Sequence, residues 1–441
     1  MDLTQEPGLS GFSIAACLKK AGHTAYFAGG CVRDFLMGRA AVDIDIATTA
    51  RPEEVEKLFP KTIPVGRQFG VMIVVERGRS FEEATFRREG GYYDGRHPSE
   101  ISFTVPEEDA RRRDFTINGL FYDPFEKKIL DYAGGQADLP KKLIRAIGDP
   151  RERFEEDKLR LLRAIRFASS LDFEIEAKTW EAIQEKAAKI AEVSPERIRE
   201  ELVKIFTRPN AARGFKLLSD SGLMKMILPE VEAMKGCEQP PEYHPEGDVF
   251  VHTALLLEKM GEPSPLLALS AVFHDVGKPV TFSLKDGRIK FYEHAPIGAD
   301  MTRKIMKRLR FSNDEIEAVS ECVANHMKFA DVQKMRSGKL KQFVSRPTFP
   351  VELELHKIDC QSSHGKLDNY QFLQKKIVEY AAEDLKPKPL INGNDLIALG
   401  MKPGPEMKPF LEEVYTLQLE GGFKDREECL AWAQKRLQKK A

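Results

Sequence analysis

Apolar and polar residues alternate through AVDIDIAT (41–48). A period of two predicts a strand, with Asp43 and Asp45 on one side and Val42, Ile44 and Ile46 turned into a core. Just upstream, TAYFAGG (24–30) reads as a strand that ends in a glycine turn, and CVRDFLMG (31–38) as a helix. RPEEVEKLF (51–59) has helix-start chemistry, with Pro52 near the first turn and acids beside it. GVMIVVE, EATFRRE, ISFTV and INGLFYD predict further strands, so the N-terminal part is mixed. From about residue 150 the period lengthens to that of helices. In FEEDKLRLLRAIRFASSL (154–171), Leu159, Leu162, Ile165 and Phe167 are roughly helix-spaced, and in SPERIREELVKIF (194–206) Ser194 is a candidate N-cap. The Pro- and acid-rich EQPPEYHPEGD (238–248) marks a boundary before a second helical unit. The expected class is α+β. The expected divisions are a head at 1–148, a helical neck at 149–237, a helical unit at 238–368 and a helical C-terminal tail at 369–441.

Composition narrows the class only a little. The 441 residues suggest about three domains at roughly 150 residues each. Lys and Arg number 68 against 69 Asp and Glu, so any nucleic-acid contact must come from local patches rather than from net charge. Six cysteines occur without a CxxC pair, which reads as reduced thiols in a cytoplasmic protein. No secretory leader and no apolar run long enough to span a membrane is expected.

The candidate chemistry begins with Asp43 and Asp45. Two carboxylates on one strand face can share Mg²⁺ ions, which activate a hydroxyl and hold a leaving pyrophosphate. Alone, the same pattern also describes a solvated strand face. Upstream, Gly29 and Gly30 lie between a strand and a helix, where backbone N–H groups can approach phosphate, and Arg33 adds a guanidinium fork. Neither GxxxxGK[ST] nor GxGxxG is present, which excludes P-loop and dinucleotide-binding readings. In ARRRDFTIN (110–118), Arg113 can neutralise triphosphate and Asp114 can bond a ribose hydroxyl. Asp157, Arg160 and Arg163 are spaced by three and fall near one another on one helical face. They can form a simple salt bridge. They can also read a base, because cytosine and adenine both offer an exocyclic amine beside a ring-nitrogen acceptor, which a carboxylate and a guanidinium complement.

Taken in order, FAGGCVRDFLMGRAAVDIDIAT, ATFRREGGYYDGRHP, RRRDFTINGLFYDP, EEDKLRLLRAIRF and SPERIREEL resemble the motif set of bacterial/eukaryotic-type (class II) tRNA nucleotidyltransferases, the CCA-adding enzymes, and of their poly(A) polymerase relatives. LINGNDLIALGMKPGP (390–405) resembles the C-terminal part of bacterial members. The resemblance implies a polymerase-β-like head followed by helical neck, body and HD-type domains. It implies Mg²⁺ on Asp43 and Asp45, and triphosphate on Gly30, Arg33 and Arg113. Ribose would meet Asp114, the base Asp157 and Arg160, with Arg163 in support. The implied partners are tRNA, CTP and ATP. Residues 85–98 resemble the family's flexible loop, with His97 where many members carry arginine; the loop is not shortened, as it is in members that stop after CC. Full CCA addition, addition of A alone beside a separate CC-adding partner, and poly(A) synthesis all stay open.

In the helical unit, HDVGKP (274–279) follows the apolar LLALSAVF. With His252 and Asp359, the His274–Asp275 pair resembles the metal site of an HD phosphohydrolase domain, and a second divalent metal is expected there. His294 and His326, taken singly, read as packed or surface histidines. A hydrolase whose main chemistry lies in this unit is the reading from a different class. Candidate RNA-contacting patches are Lys141, Lys142 and Arg145, TRKIMKRLR (302–310), KMRSGKLKQ (334–342) and QKRLQKK (434–440).

Overall fold

The computed structural model describes residues 1–41, 43–92, 98–380 and 385–438. Val42, residues 93–97 of the expected flexible loop and the last two lysines of QKRLQKK lie outside them. The chain forms two compact units, Met1–Glu232 and Ala233–Ala441.

The first unit opens with α1 (Gly8–Lys20), β1 (Ala25–Ala28), α2 (Gly30–Leu36), β2 (Asp45–Thr48) and α3 (Pro52–Leu58). There follow β3 (Thr62–Gly66), β4 (Val71–Glu76), β5 (Arg79–Thr85), the hairpin β6 (Arg87–Tyr92) and β7 (Pro98–Phe103), α4 (Pro106–Arg112), β8 (Leu120–Asp123) and β9 (Lys128–Asp131). Seven of these strands make one sheet in the order β3-β4-β5-β2-β1-β8-β9. Only β2 and β5 run parallel; the other pairs are antiparallel. Ile14 and Leu18 of α1 and Val55 of α3 pack with Phe27, Ile44, Ile46, Met72 and Phe81 in one core. Each such side chain contributes roughly 1.5–3 kcal/mol on burial. A one-residue slip of β2 would bury Asp45 and expose Ile46, so this core fixes which way the acid faces. Ala28, Ala47, Phe86, Ala110 and Phe121 form a second cluster.

Helices then take over: α5 (Gly135–Asp138), the short strand β10 (Leu143–Ile144), α6 (Pro150–Glu156), α7 (Arg160–Leu171), β11 (Glu174–Ile175), α8 (Ala177–Lys186), α9 (Pro195–Thr207), α10 (Ala211–Asp220), α11 (Leu223–Ile227) and α12 (Pro229–Glu232). The expected continuous helix through 154–171 is broken. The chain leaves α6 at Asp157, which is extended, and Asp157 accepts a hydrogen bond from Leu159 N as α7 begins. Aspartate competes with the helical backbone in this way, which favours it at caps over interiors. Ser194 stands at the N-cap of α9 as expected, but its side chain makes no capping bond.

The second unit consists of α13 (Val249–Lys259), α14 (Pro265–Phe273), α15 (Lys278–Thr281), the hairpin β12 (Phe282–Lys285) and β13 (Arg288–Phe291), α16 (His294–Arg308), α17 (Asn313–Asn325), α18 (Ser337–Val344), α19 (Phe349–Ser362), α20 (Asp368–Tyr380), α21 (Gly393–Ala398), α22 (Met407–Leu419) and α23 (Arg426–Gln438). Helices α13, α14 and α19 share a small core of Leu256, Ala271, Leu355 and Ile358. Ile391, Leu396, Phe410, Val414 and Cys429 form a separate core near the C-terminus.

Candidate functional site

A cleft of about 620 Å³ opens in the first unit, within the range of small-molecule sites. Gly29, Gly30, Arg33, Asp45, Arg113, Asp114, Asp157, Arg160 and Arg163 all line it. The sequence elements named above therefore converge, although they come from the turn after β1, from β2, α2 and α7, and from the segments after α4 and α6.

Gly29 enters α2 at φ 71°, ψ −125°, a conformation open essentially to glycine alone. A Cβ there would lie 2.9 Å from the Arg113 guanidinium. Asp43 and Asp45 are both exposed while Ile44 and Ile46 are buried, as alternation requires. Strand β2 begins only at Asp45, so Asp43 sits in the bend ahead of it rather than on the strand. Asp45 opens into the cleft, yet the cleft walls desolvate it. Burial, then the charges of Glu82 and Asp43, push its carboxyl up to about 6 against the pull of Arg113. Glu82 of β5 also lines the cleft and is a third carboxylate that the sequence reading missed. Carboxylate oxygens are the donor set that hard divalent cations prefer, so these residues fit such an ion.

Asp114 is nearly buried and accepts from Phe115 N at 2.8 Å, Asn118 Nδ2 at 3.0 Å and Arg163 Nε at 2.8 Å. Burial alone would raise its pKa. The Arg163 charge and the bonds from Asn118 and Arg163 outweigh that and hold the carboxyl well below the usual carboxylate range. Asn118, absent from the sequence expectations although it lies inside the quoted RRRDFTIN run, also accepts from Arg33 at 2.8 Å. It thus ties the phosphate-side arginine to Asp114. Buried Asp109 plays a similar part for Arg112 and Arg113, at 2.7 and 3.2 Å.

Asp157, Arg160 and Arg163 do not form the expected i, i+3 bridge. The helix break separates Asp157 from the other two. Asp157 instead pairs with Arg197 of α9 at 3.0 Å. Arg160 pairs with Glu156 at 2.8 Å and donates to Arg153 O and Arg112 O. Arg163 and Arg33 both lie over the Phe167 ring, at 5.4 and 5.5 Å. Arg197 lines the cleft, and the only sequence hint was its place in SPERIREEL.

The second unit gathers its histidines more tightly than the sequence suggested. His252, His274 and Asp275 are almost fully buried, and Asp359 lies 3.0 Å from His252 Nε2. His294 and His326 are not isolated. Both are buried, and each Nε2 is 3.6 Å from Asp275. The packing of α16 on α17 brings them together, which no local pattern reveals. The ring nitrogens of His252 face carboxylates on both sides, Nδ1 toward Glu246 at 2.6 Å and Nε2 toward Asp359, and His274 Nε2 lies 3.1 Å from Asp275, a grouping of donor atoms that could hold a metal ion. Burial would lower the His252 pKa, but Asp359 and Glu246 raise it to about 9. Those two acids supply the negative charge that a cation in this position would meet.

Individual members of the proposed basic patches are internally engaged. Arg145 pairs with Asp138 and Glu176, Arg336 with Glu420, Lys334 with Asp331 and Arg303 with Asp300. Lys141 and Lys142 are exposed.

Three family descriptions match the chain: the poly(A) polymerase head domain at residues 25–145, a probable RNA and SrmB-binding site of polymerase A at 172–235, and the HD domain at 248–358. A CCA-adding enzyme of Streptococcus pyogenes is 34% identical over 382 residues, covering 81% of this chain and 92% of the relative. One from a Geobacillus species is 45% identical over 226 residues, 51% of this chain and 55% of the relative. The crystal structure of Bacillus stearothermophilus CCA-adding enzyme in complex with CTP superposes with a TM-score of 0.76 at 26% identity, covering 99% of both chains. With the head, the cleft and this coverage in agreement, the chain belongs to the CCA-adding enzyme family of nucleotidyltransferases.

Proposed function

We propose that the first unit transfers CMP and AMP from CTP and ATP to the 3′ end of tRNA, releasing pyrophosphate. The observation that carries this is the gathering of Asp45, Glu82, Arg33 and Arg113 around one cleft, with Gly29 between strand and helix. Asp43 and Asp45 would hold Mg²⁺, which when bound supplies activation of the tRNA 3′-hydroxyl and charge neutralisation at the leaving group. Gly29, Gly30, Arg33 and Arg113 grip the triphosphate through backbone N–H groups and guanidinium forks. Asp114 orients the ribose. Asp157 accepts from the exocyclic amine of C or A. It keeps lone pairs for this while bound to Arg197, because each carboxylate oxygen accepts more than one hydrogen bond. Arg160 donates to the ring nitrogen, and uracil and guanine present the opposite pattern. The relative solved with CTP supports the choice of nucleotide. Incorporation of labelled CTP and ATP into tRNA lacking its 3′ end tests the reading. Asp45→Ala should abolish incorporation, and incorporation that survives this change contradicts the assignment.

The four-part division at 148, 237 and 368 is retained as the working map of head, neck, HD-type unit and tail. Among the described residues no helix is long and apolar enough to cross a membrane, in keeping with work in the cytoplasm.

A second reading is favoured by the clustering of His252, His274 and Asp275, with Asp359 beside His252. In it, the second unit is a metal-dependent phosphohydrolase with His252, His274, Asp275 and Asp359 as ligands. Hydrolysis of a chromogenic phosphate ester should require added divalent metal and vanish in His252→Ala, while nucleotide addition persists. Hydrolysis that is indifferent to His252 sinks this reading.

A further inference from the structure

Hairpin β12–β13 has two unlike faces. Asp286 and Gly287, at φ 52° and 71°, form the two-residue turn that sets its register. Directly paired residues share a face, and faces alternate along each strand, so Phe282, Leu284, Ile289 and Phe291 fall on one side. Lys285, Arg288 and Lys290 fall on the other. Tyr292 joins them, and all four line one concavity of about 390 Å³ together with Asp286. The apolar side is held to its own unit. The Phe291 ring meets that of Phe282 at 5.9 Å and that of His294 at 6.4 Å, and Lys278 Nζ lies 5.5 Å from its centre. The basic side is open. Lys285, Arg288 and Lys290 are exposed, and Tyr292 keeps 59% of its surface.

These cations are not neutralised. In the basic stretches named from the sequence, Arg145, Arg303, Lys334 and Arg336 each lean on an acid. Lys285, Arg288 and Lys290 have no ion-pair partner among the described residues. Asp286 is the acid among the residues that line the concavity, so three cations stand against one carboxylate. Lys285 and Arg288 are moreover directly opposite each other in the strand pair. Like charges so placed destabilise a hairpin unless an anion lies between them. A row of cations beside an exposed aromatic ring is the arrangement that holds single-stranded nucleic acid. The cations follow the phosphates and the ring takes a base by stacking. An acidic peptide would use the charges but give the ring no base to stack on.

We propose that the basic face of hairpin β12–β13 binds RNA: Lys285, Arg288 and Lys290 hold the phosphates of a single-stranded stretch of the tRNA substrate, and Tyr292 stacks on one of its bases. This rests on the reading of the chain as a tRNA nucleotidyltransferase and adds to it a contact made by residues of the second unit alone. Charge and stacking read no particular sequence, which suits a protein that acts on many tRNAs. Each phosphate contact releases counterions, so the hairpin's share of the affinity falls as salt rises.

The probe is tRNA lacking its terminal CCA, titrated against the full chain by filter binding at several salt concentrations. Lys285→Gln, Arg288→Gln and Lys290→Gln combined should raise Kd about 10-fold or more and flatten the slope of log affinity against log salt by about 2. Tyr292→Ala should raise Kd about 10-fold, whereas Tyr292→Phe, which keeps the ring, should leave it unchanged. KM for CTP at saturating tRNA should stay at the parent value in all of them, and unchanged circular dichroism shows that they fold. A Kd and salt slope unmoved by both the triple substitution and Tyr292→Ala overturn the hairpin contact and leave nucleotide addition in place. Retained tRNA affinity with lost binding to vesicles of anionic phospholipid would make the face a lipid-contacting one and also overturn it. A parent that neither binds nor extends this tRNA overturns both the contact and the reading on which it rests.

Discussion

At Gly29 the backbone itself is the functional group. Its φ of 71° and ψ of −125° cost a side-chain-bearing residue about 1–3 kcal/mol, and an added Cβ would press on Arg113. Gly29→Ala should therefore lower kcat/KM for nucleotide addition by about 10-fold or more, read by steady-state kinetics. An unchanged value would mean that the turn is not part of the phosphate cradle. Glu83 poses a different problem two strands over, on β5. It is fully buried, and both carboxylate oxygens lack a partner. Burial pushes its pKa well above the ordinary carboxyl value. The folded chain therefore holds a proton that the unfolded chain releases once pH passes the usual glutamate range, and stability falls as pH rises from there. Glu83→Met should raise the thermal midpoint, by an amount corresponding to about 1–3 kcal/mol, and the gain should be larger at pH 8 than at pH 5. An equal gain at both pH values contradicts a protonated Glu83.

At the scale of elements, the break between α6 and α7 matters most. It turns Asp157 away from the arginines with which it shares a sequence period and hands it to Arg197 on α9, 40 residues later. Arg197→Ala should free Asp157 to move, raise KM for both CTP and ATP by about 10-fold and weaken discrimination against UTP. Unchanged KM values would remove Arg197 from the site. This pair also shows where reading the sequence stopped short. Periodicity found the helices and the strand with Asp45, because those signals are local. It could not find a partner 40 residues away, nor the meeting of His294 and His326, which depends on how α16 packs on α17. The hairpin β12–β13 was legible and overlooked. Asp286–Gly287, both at positive φ between alternating runs, is a strong hairpin signal inside an otherwise helical region. Gly29, Gly30, Arg33 and Asp45 share one cleft, because GGCVRD and DID each carry their groups within a few positions, whereas Asp43 is not among the residues that line it.

For the molecule as a whole, two compact units carry two sets of chemical groups: arginines and carboxylates around a cleft in the first, buried histidines and aspartates in the second. The account assigns nucleotide addition to the first alone, so His252→Ala should spare it and Asp45→Ala should end it. The most direct test supplies purified chain and Mg²⁺ with three tRNAs, one lacking the terminal CCA, one ending in CC and one complete, and offers CTP and ATP singly and together. The account predicts extension of the first to CCA with both nucleotides, one A added to the second, and no change in the third. A single A added only to the tRNA ending in CC would restrict the enzyme to A addition, and long A-tails would make it a polymerase. Failure to extend any of the three would contradict the account of the cleft.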